Sequence, residues 1–199
     1  FIIFPVMVIG EKELKHWMDN FYGYGTWQSR FWFIGHEESG GDVPDEIAEK
    51  INFFYNLQAT SPTLCDIREL YRQVAFRIDG PRAEKFKTFH DHRFGPHATL
   101  HGAWKNIIAF VHGYKSEKLS DPLPYQQNLF ASPLAHSEAL IQLYPLPAHN
   151  HAWYYAWLDL PQLPRVHRKG DIPEQLPPST CQAQRLCRQQ RRAGGDGRH

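Results

Sequence analysis

The sequence predicts an α/β domain with a parallel central sheet covered by helices, and three observations support this fold class. Two apolar segments, residues 31–34 and 138–144, are typical of short buried β-strands. Helical segments separate them along the chain, and strands separated by helices favour a parallel sheet. The chain has 199 residues, 42% of them hydrophobic, which suits one globular domain with a sizeable core.

Four segments carry apolar residues at the spacing of three and four positions that makes one face of a helix apolar. They cover residues 11–22, 44–55, 65–76 and 103–114. The first is expected to end at Gly23 and Gly25, and the second begins at Pro44, which suits a first helical turn. Residues 79–102, rich in Gly, Pro and His, and residues 120–133 are predicted to be loops; a long loop inside a compact domain often carries function.

The charge and the cysteine content restrict the functional classes. A net charge of +1 excludes the overall basic character of a strong non-specific nucleic-acid binder. A net charge this small is still compatible with a local basic groove. Three widely spaced cysteines do not form a disulfide framework and predict a reducing, cytoplasmic setting. No segment approaches the roughly 20 apolar residues that span a bilayer, so no membrane partner is expected.

Both ends of the sequence depart from the pattern of the middle. The first methionine is Met7, so residues 1–6 are expected to be upstream sequence or the cut end of a fragment. Apolar periodicity stops near residue 165, and residues 182–199 are rich in Arg, Gln and Gly. We therefore expect one domain at residues 7–165, incomplete at its C-terminus, and an irregular or disordered tail at 166–199. A frameshift is an alternative origin of this tail.

The most informative segment is GHEESGGDV, residues 35–43, which follows the first predicted strand and precedes the helix at Pro44. It is predicted to be a strand-to-helix turn, the place where open α/β sheets hold ligands. Glu37 and Glu38 can activate water or bind a metal, and glycines let a ligand approach the backbone. The alternative is a helix cap, which explains Asp42 and Asp45 but not the other two carboxylates.

The second predicted strand and its exit form another candidate site. In a parallel sheet its carboxyl end can lie beside the first turn, and Gln142 and Tyr144 share one face. A glutamine amide could hydrogen-bond the edge of a base. The alternative is a solvent-facing glutamine followed by a loop that Pro145 and Pro147 stiffen.

The histidines and cysteines give weaker signals. The loop histidines could bind zinc, but their spacing matches no strong zinc signature. The alternative is that histidines cluster by chance in a chain that has 12 of them. Cys65 falls on a predicted helix among core positions, so no catalytic thiol is expected. The loop histidines are His90, His92, His97 and His101.

Residues 31–41 resemble the first motif of the uracil-DNA glycosylase-like superfamily, and more closely a poorly characterised bacterial branch of it. That branch carries a Trp-Phe-Ile-Gly-x-Glu-Glu-Gly-Gly-like turn, a Thr-Trp helix start, and a strand that ends in Pro-Leu-Pro before a Trp-x-Tyr segment. The counterparts here are residues 32–41, Ala103-Trp104, residues 145–147 and residues 153–155. The resemblance covers about residues 11–165.

The resemblance implies a three-layer α/β/α fold and hydrolysis of an N-glycosidic bond after the target nucleotide is flipped into a pocket. In the best-known branch the first motif reads Gly-Gln-Asp-Pro-Tyr-His, so Gly35 matches its Gly, His36 its Gln and Glu37 its Asp. Glu37 is then the expected water-activating group. Glu38 could take that role instead, or perturb Glu37 by like-charge repulsion. The expected substrate-binding residues are Gly35, His36, Gly40, Gly41, Gln142, Tyr144, Pro145 and Pro147.

Two departures from the superfamily pattern limit this expectation. The superfamily often has an asparagine at the end of the second strand, where this chain has Gln142 and Leu143, so a preference for uracil is in doubt. The final His-Pro-Ser-like motif, whose histidine stabilises charge on the leaving base, is absent from this sequence. The chain as written is then expected to be inactive.

We therefore expect a monomer that acts on DNA or a nucleotide without a cofactor. Two alternatives stay open: a non-catalytic nucleic-acid or nucleotide-binding module of the same fold, and a metal-dependent hydrolase that uses Glu37, Glu38 and the loop histidines.

Overall fold

A computed structural model describes residues 9–39 and 44–148. In chain order the elements are α1 (Glu11–Asn20), β1 (Phe21–Tyr24), β2 (Phe31–Ser39), α2 (Pro44–Asn56), β3 (Thr63–Cys65), α3 (Ile67–Gln73), a 3-10 turn (Gly80–Arg82), α4 (Phe89–Arg93), α5 (Gly102–Tyr114), α6 (Leu123–Asn128) and β4 (Glu138–Ala148). The α/β class predicted from the sequence is confirmed. Among the described helices, none is long and apolar enough to cross a membrane.

The four strands form one sheet in the order β2-β4-β1-β3. The β2–β4 pair is parallel, as the sequence predicted, and the β1–β3 pair, whose strands the sequence did not predict, is parallel as well, but β1 and β4 run antiparallel. The sheet is therefore mixed rather than wholly parallel. The antiparallel pair brings the two backbones close together, because a Cβ at Gly23 would collide with the carbonyl oxygen of Leu140. Gly23 adopts φ +131°, a conformation that favours glycine.

The main core lies between the helices and one face of the sheet. Its members include the buried apolar residues predicted for each long helix, such as Trp17 of α1, Ile51 of α2, Leu70 of α3 and Ile108 of α5. Successive strand residues point to opposite faces. A second, smaller cluster accordingly forms on the other face from Tyr22, Leu64, Ala139 and Ile141, with Trp27 and Trp32 packed against it. No helical residue of the described segments belongs to this second cluster.

Several local predictions were wrong. The first strand does not end at Ile34: residues 35–39, predicted to be a turn, continue β2. The predicted exit at Pro145 and Pro147 belongs to β4. The first helix ends at Asn20, and the apolar residues that follow it form β1. The predicted helix at 65–76 is shorter, because β3 precedes it, and both predicted loops contain short helices.

Candidate functional site

The candidate site lies where β2 and β4 run side by side. Gly35 pairs with Gln142, Glu37 with Tyr144 and Ser39 with Ala148. Between the last two pairs β4 contains three residues where β2 contains one, so β4 bulges there. The sequence predicted that the two motif segments can lie beside each other, and this parallel pairing confirms it.

Glu38 and Lys50 form a buried ion pair at the centre of the site. The Nζ atom of Lys50 lies 2.7 Å from Oε1 of Glu38, and the side chain of Lys50 is 0% exposed and that of Glu38 6% exposed. The ammonium also lies 4.9 Å from the centroid of the Phe76 ring. A buried carboxylate needs such a partner, because an uncompensated charge in the protein interior costs several kcal/mol.

The amide of Gln142 completes the surroundings of this carboxylate. Its Nε2 atom donates a long hydrogen bond of 3.4 Å to Oε2 of Glu38. Gln142 is 8% exposed, so it does not face solvent as the alternative interpretation of this strand requires. A Cβ on Gly35 would lie 3.3 Å from the amide oxygen of Gln142, tighter than an ordinary contact. The absence of a side chain at Gly35 thus gives this amide its space.

Three further ionisable groups lie within electrostatic range of Glu38. Burial raises the pKa values of Tyr24, Tyr71 and Cys65, and the negative charge of Glu38 raises them further. All three are neutral at physiological pH as a result. The Tyr24 hydroxyl is buried and has no partner at hydrogen-bonding geometry among the described residues, although it interacts electrostatically with the Glu38 carboxylate. Cys65 is a free, protonated thiol rather than a nucleophile.

The structure describes the remaining predicted residues to different extents. His36 and Glu37 belong to β2, and Tyr144 and Pro145 belong to β4, but their side chains lie outside what the structure describes. Gly40, Gly41 and the predicted cap Asp42 lie outside the described residues. Pro147 is buried near the end of β4. The roles assigned to these residues stay predictions.

His92 and His101 of the loop histidines each have a structural hydrogen bond. His92 is buried and bonds to Thr99, with Nδ1 of His92 3.0 Å from Oγ1 of Thr99. His101 caps α5 by accepting from the backbone N–H of Trp104. Burial, followed by nearby arginine charge, lowers the pKa of both imidazoles to about 4. In the described segments no three His, Cys, Asp or Glu side chains come together as a group that could hold a metal ion.

Lys50 was not predicted as a residue of the site, because lysines on helices are usually exposed. A signal existed. Lys50 follows Ile47 by three positions and precedes Phe54 by four, so it shares the apolar face of α2. A lysine on an apolar face requires a buried partner, and Glu38 is the carboxylate that the fold brings to it.

Comparison with family models, curated proteins and solved structures gives no match for this chain.

Proposed function

We propose that this protein acts on nucleic acid as a uracil-DNA glycosylase-like hydrolase, with Glu37 activating the attacking water. The observation that carries the proposal is the parallel β2–β4 register. In this register the backbone of Glu37 lies opposite Tyr144 and that of Gly35 opposite Gln142. The two segments that resemble superfamily motifs therefore lie side by side. A ligand at the carboxyl ends of β2 and β4 would contact both of these segments.

The two carboxylates differ in what they can do. Glu38 is buried and neutralised by Lys50, so it is a structural group that fixes the end of β2. This leaves Glu37 as the candidate general base, a role in which a carboxylate contributes a rate factor of roughly 10²–10⁴. Gln142 would then bind the edge of a base. The hydrogen bond from its Nε2 atom to Glu38 fixes the orientation of its amide, whose oxygen lies beside the backbone of Gly35.

The proposal also includes a three-layer fold, with further chain covering the second face of the sheet. Tyr22, Ala139 and Ile141 on that face are buried and apolar, as a covered face requires. DNA or a nucleotide is the proposed partner of a monomeric protein. The buried free thiol of Cys65 supports a reducing compartment such as the cytoplasm.

A single-turnover assay tests the activity directly. The 199-residue protein, in excess over labelled oligonucleotides that carry uracil or other modified bases, is incubated and the released base is measured. The missing histidine of the last superfamily motif led to the expectation of an inactive chain. Loss of one electrostatic donor, however, slows such reactions by roughly 10²–10³-fold rather than abolishing them, so the proposal predicts slow but measurable release. Release from none of the modified bases would rule the proposal out.

The second candidate function is a nucleic-acid or nucleotide-binding module without chemistry. The ion pair of Glu38 with Lys50 favours it, because it removes one of the two motif carboxylates from reaction. This alternative predicts oligonucleotide binding without base release, whereas the hydrolase predicts both. Fluorescence anisotropy on the oligonucleotides of the base-release assay separates the two.

A further inference from the structure

Two arginines belong to the surroundings of the buried imidazole of His92, far along the chain from the carboxylate site: Arg82 contacts the ring and Arg93 follows His92 in the chain. Arg82 ends the 3-10 turn, and its Nη1 atom lies 3.4 Å from Nε2 of His92. Arg93 ends α4, and its guanidinium carbon lies 6.0 Å from the centroid of the Trp104 ring. Burial lowers the pKa of Arg93, and the positive charge of Arg82 lowers it further. The two guanidinium groups therefore repel each other.

Other arginines of this region have acceptors that satisfy them. Arg68 donates to the backbone carbonyls of Gln126, Gln127 and Phe130. Arg72 pairs with Glu69 at 2.8 Å. Across residues 9–39 and 44–148, by contrast, no carboxylate lies at ion-pair distance from Arg82 or Arg93. Two neighbouring guanidinium groups that have no carboxylate partner in this part of the chain can bind an anion.

Neutral polar groups lie beside the two arginines. The imidazoles of His92 and His101 are uncharged at neutral pH, because burial and the arginines hold their pKa values at about 4. Thr99 is exposed and adds a hydroxyl that bonds to His92. Neither imidazole therefore adds positive charge beside Arg82 and Arg93 at neutral pH.

A buried glutamine holds the backbone of this surface in place. Gln126, which is 0% exposed, donates to the carbonyl of Arg93 at 2.8 Å and to that of Thr99 at 3.1 Å. Its amide oxygen accepts from the backbone N–H of His101 at 2.9 Å. Both ends of the segment 93–101 are fixed in this way, which is the preorganisation that a binding site needs.

We propose that Arg82 and Arg93, with the hydroxyl of Thr99 beside them, bind a phosphate group of the nucleic-acid backbone. Guanidinium groups match phosphate oxygens with paired, charge-assisted hydrogen bonds. The choice of a backbone phosphate as the source rests on the proposed function.

The test is the salt dependence of binding. A labelled single-stranded oligonucleotide without any modified base is titrated with the 199-residue protein at several salt concentrations, with anisotropy as the readout. Arg82→Gln and Arg93→Gln are compared with Arg30→Gln, which removes an equal charge from the other end of β2, where Arg30 lies over the Phe31 ring. Each site variant is expected to weaken binding about tenfold and to reduce the salt slope by about 0.7. Arg93→Lys, which keeps the charge, should retain the slope.

The inference is overturned if both site variants behave as Arg30→Gln does. A thermal-shift titration with inorganic phosphate distinguishes the source: if phosphate stabilises the unsubstituted protein but neither site variant, while all proteins bind the oligonucleotide equally, the backbone assignment is wrong. The base-release assay separates this inference from the proposed function. Arginine-dependent binding without base release supports the phosphate site and contradicts the hydrolase. Base release with unchanged salt slopes does the reverse.

Discussion

Lys50 and Glu38 are joined by a 2.7 Å ion pair that is shielded from solvent on both sides. The pair connects α2 to the end of β2, twelve residues earlier in the chain. It gives the two adjacent glutamates of the first motif different surroundings, because Glu38 is committed to the core. The conformation of the strand end that carries Glu37 therefore depends on a lysine that takes no part in the proposed chemistry.

Lys50→Met is expected to destabilise the protein by about 3–5 kcal/mol, because it leaves the Glu38 carboxylate buried without a partner. Urea denaturation measures the free energy of unfolding. The matched control is Lys15→Met, which breaks a pair of equal length with Asp19 whose side chains are 75% and 39% exposed. The control should cost about 0.5 kcal/mol or less. Equal effects of the two substitutions would show that the buried pair is not structural.

Adding Glu38→Leu to Lys50→Met should restore part of the lost stability. The double variant removes both charges, and an apolar pair of similar volume is often as stable as a buried ion pair. A double variant less stable than Lys50→Met alone would mean that Glu38 contributes through other contacts, such as its hydrogen bond from Gln142.

The stability of the protein is expected to fall between pH 6.5 and pH 4. The pKa of His92 is about 4 in the folded protein, whereas an unfolded histidine titrates near 6.5. In this window the unfolded state binds more protons, so the contribution of neutral His92 is complete above pH 6.5 and is lost toward pH 4. In His92→Gln the free energy of unfolding should depend less on pH. Between pH 6.5 and pH 4 the variant should lose less stability than the unsubstituted protein, by an amount on the order of 2 kcal/mol. An unchanged slope would contradict the neutral, buried imidazole.

Gly35→Ala is expected to disturb the site more than the fold. Its Cβ would press on the Gln142 amide oxygen from 3.3 Å, so the amide must shift away from Glu38. The expected result is weaker oligonucleotide binding, read by anisotropy, with a loss of stability below about 1 kcal/mol. Gly113→Ala on α5 is the matched control, since a Cβ there meets nothing within 4 Å. It should leave binding unchanged and raise stability by about 0.5–1 kcal/mol. Equal binding by both variants would exclude Gln142 from the site.

The helices could be predicted from the sequence because their apolar periodicity coincides with their burial. Ile47, Ile51 and Phe54 define the inner face of α2, and all three are fully buried. The strands could not be predicted as well. Phe21 continues the apolar spacing of α1, so the sequence does not mark the change to β1. Gly23 suggested a helix end, but it is the residue that lets β1 approach β4.

The length of β2 and β4 depends on their pairing rather than on local sequence. Glycine and glutamate are poor strand formers, yet residues 35–39 are extended because each strand supplies partners to the other. Pro145 and Pro147 usually exclude a strand from a sheet interior. They are tolerated because β4 pairs with β1 at Leu140 and Ile141, before the prolines; among the described strands, the later part of β4 pairs only with β2.

The sequence singled out both Glu37 and Glu38, but it did not predict that Glu38 forms a buried ion pair with Lys50. Nothing in the order of Glu37 and Glu38 shows which of them meets a lysine, because the partner lies on the next helix. The pair of Arg82 and Arg93 was hidden for a similar reason. It forms only when the 3-10 turn and α4 pack around His92.

The comparison of Glu37→Gln with Glu38→Gln in the single-turnover base-release assay tests the central claim most directly. Both variants are measured at a temperature where circular dichroism shows them folded. Glu37→Gln is expected to lower the rate by roughly 10²–10⁴-fold, because it removes the general base. Glu38→Gln should lose stability but keep most of the rate. A Glu37→Gln variant as fast as the unsubstituted protein, or a loss of rate confined to Glu38→Gln, would contradict the assignment of water activation to Glu37.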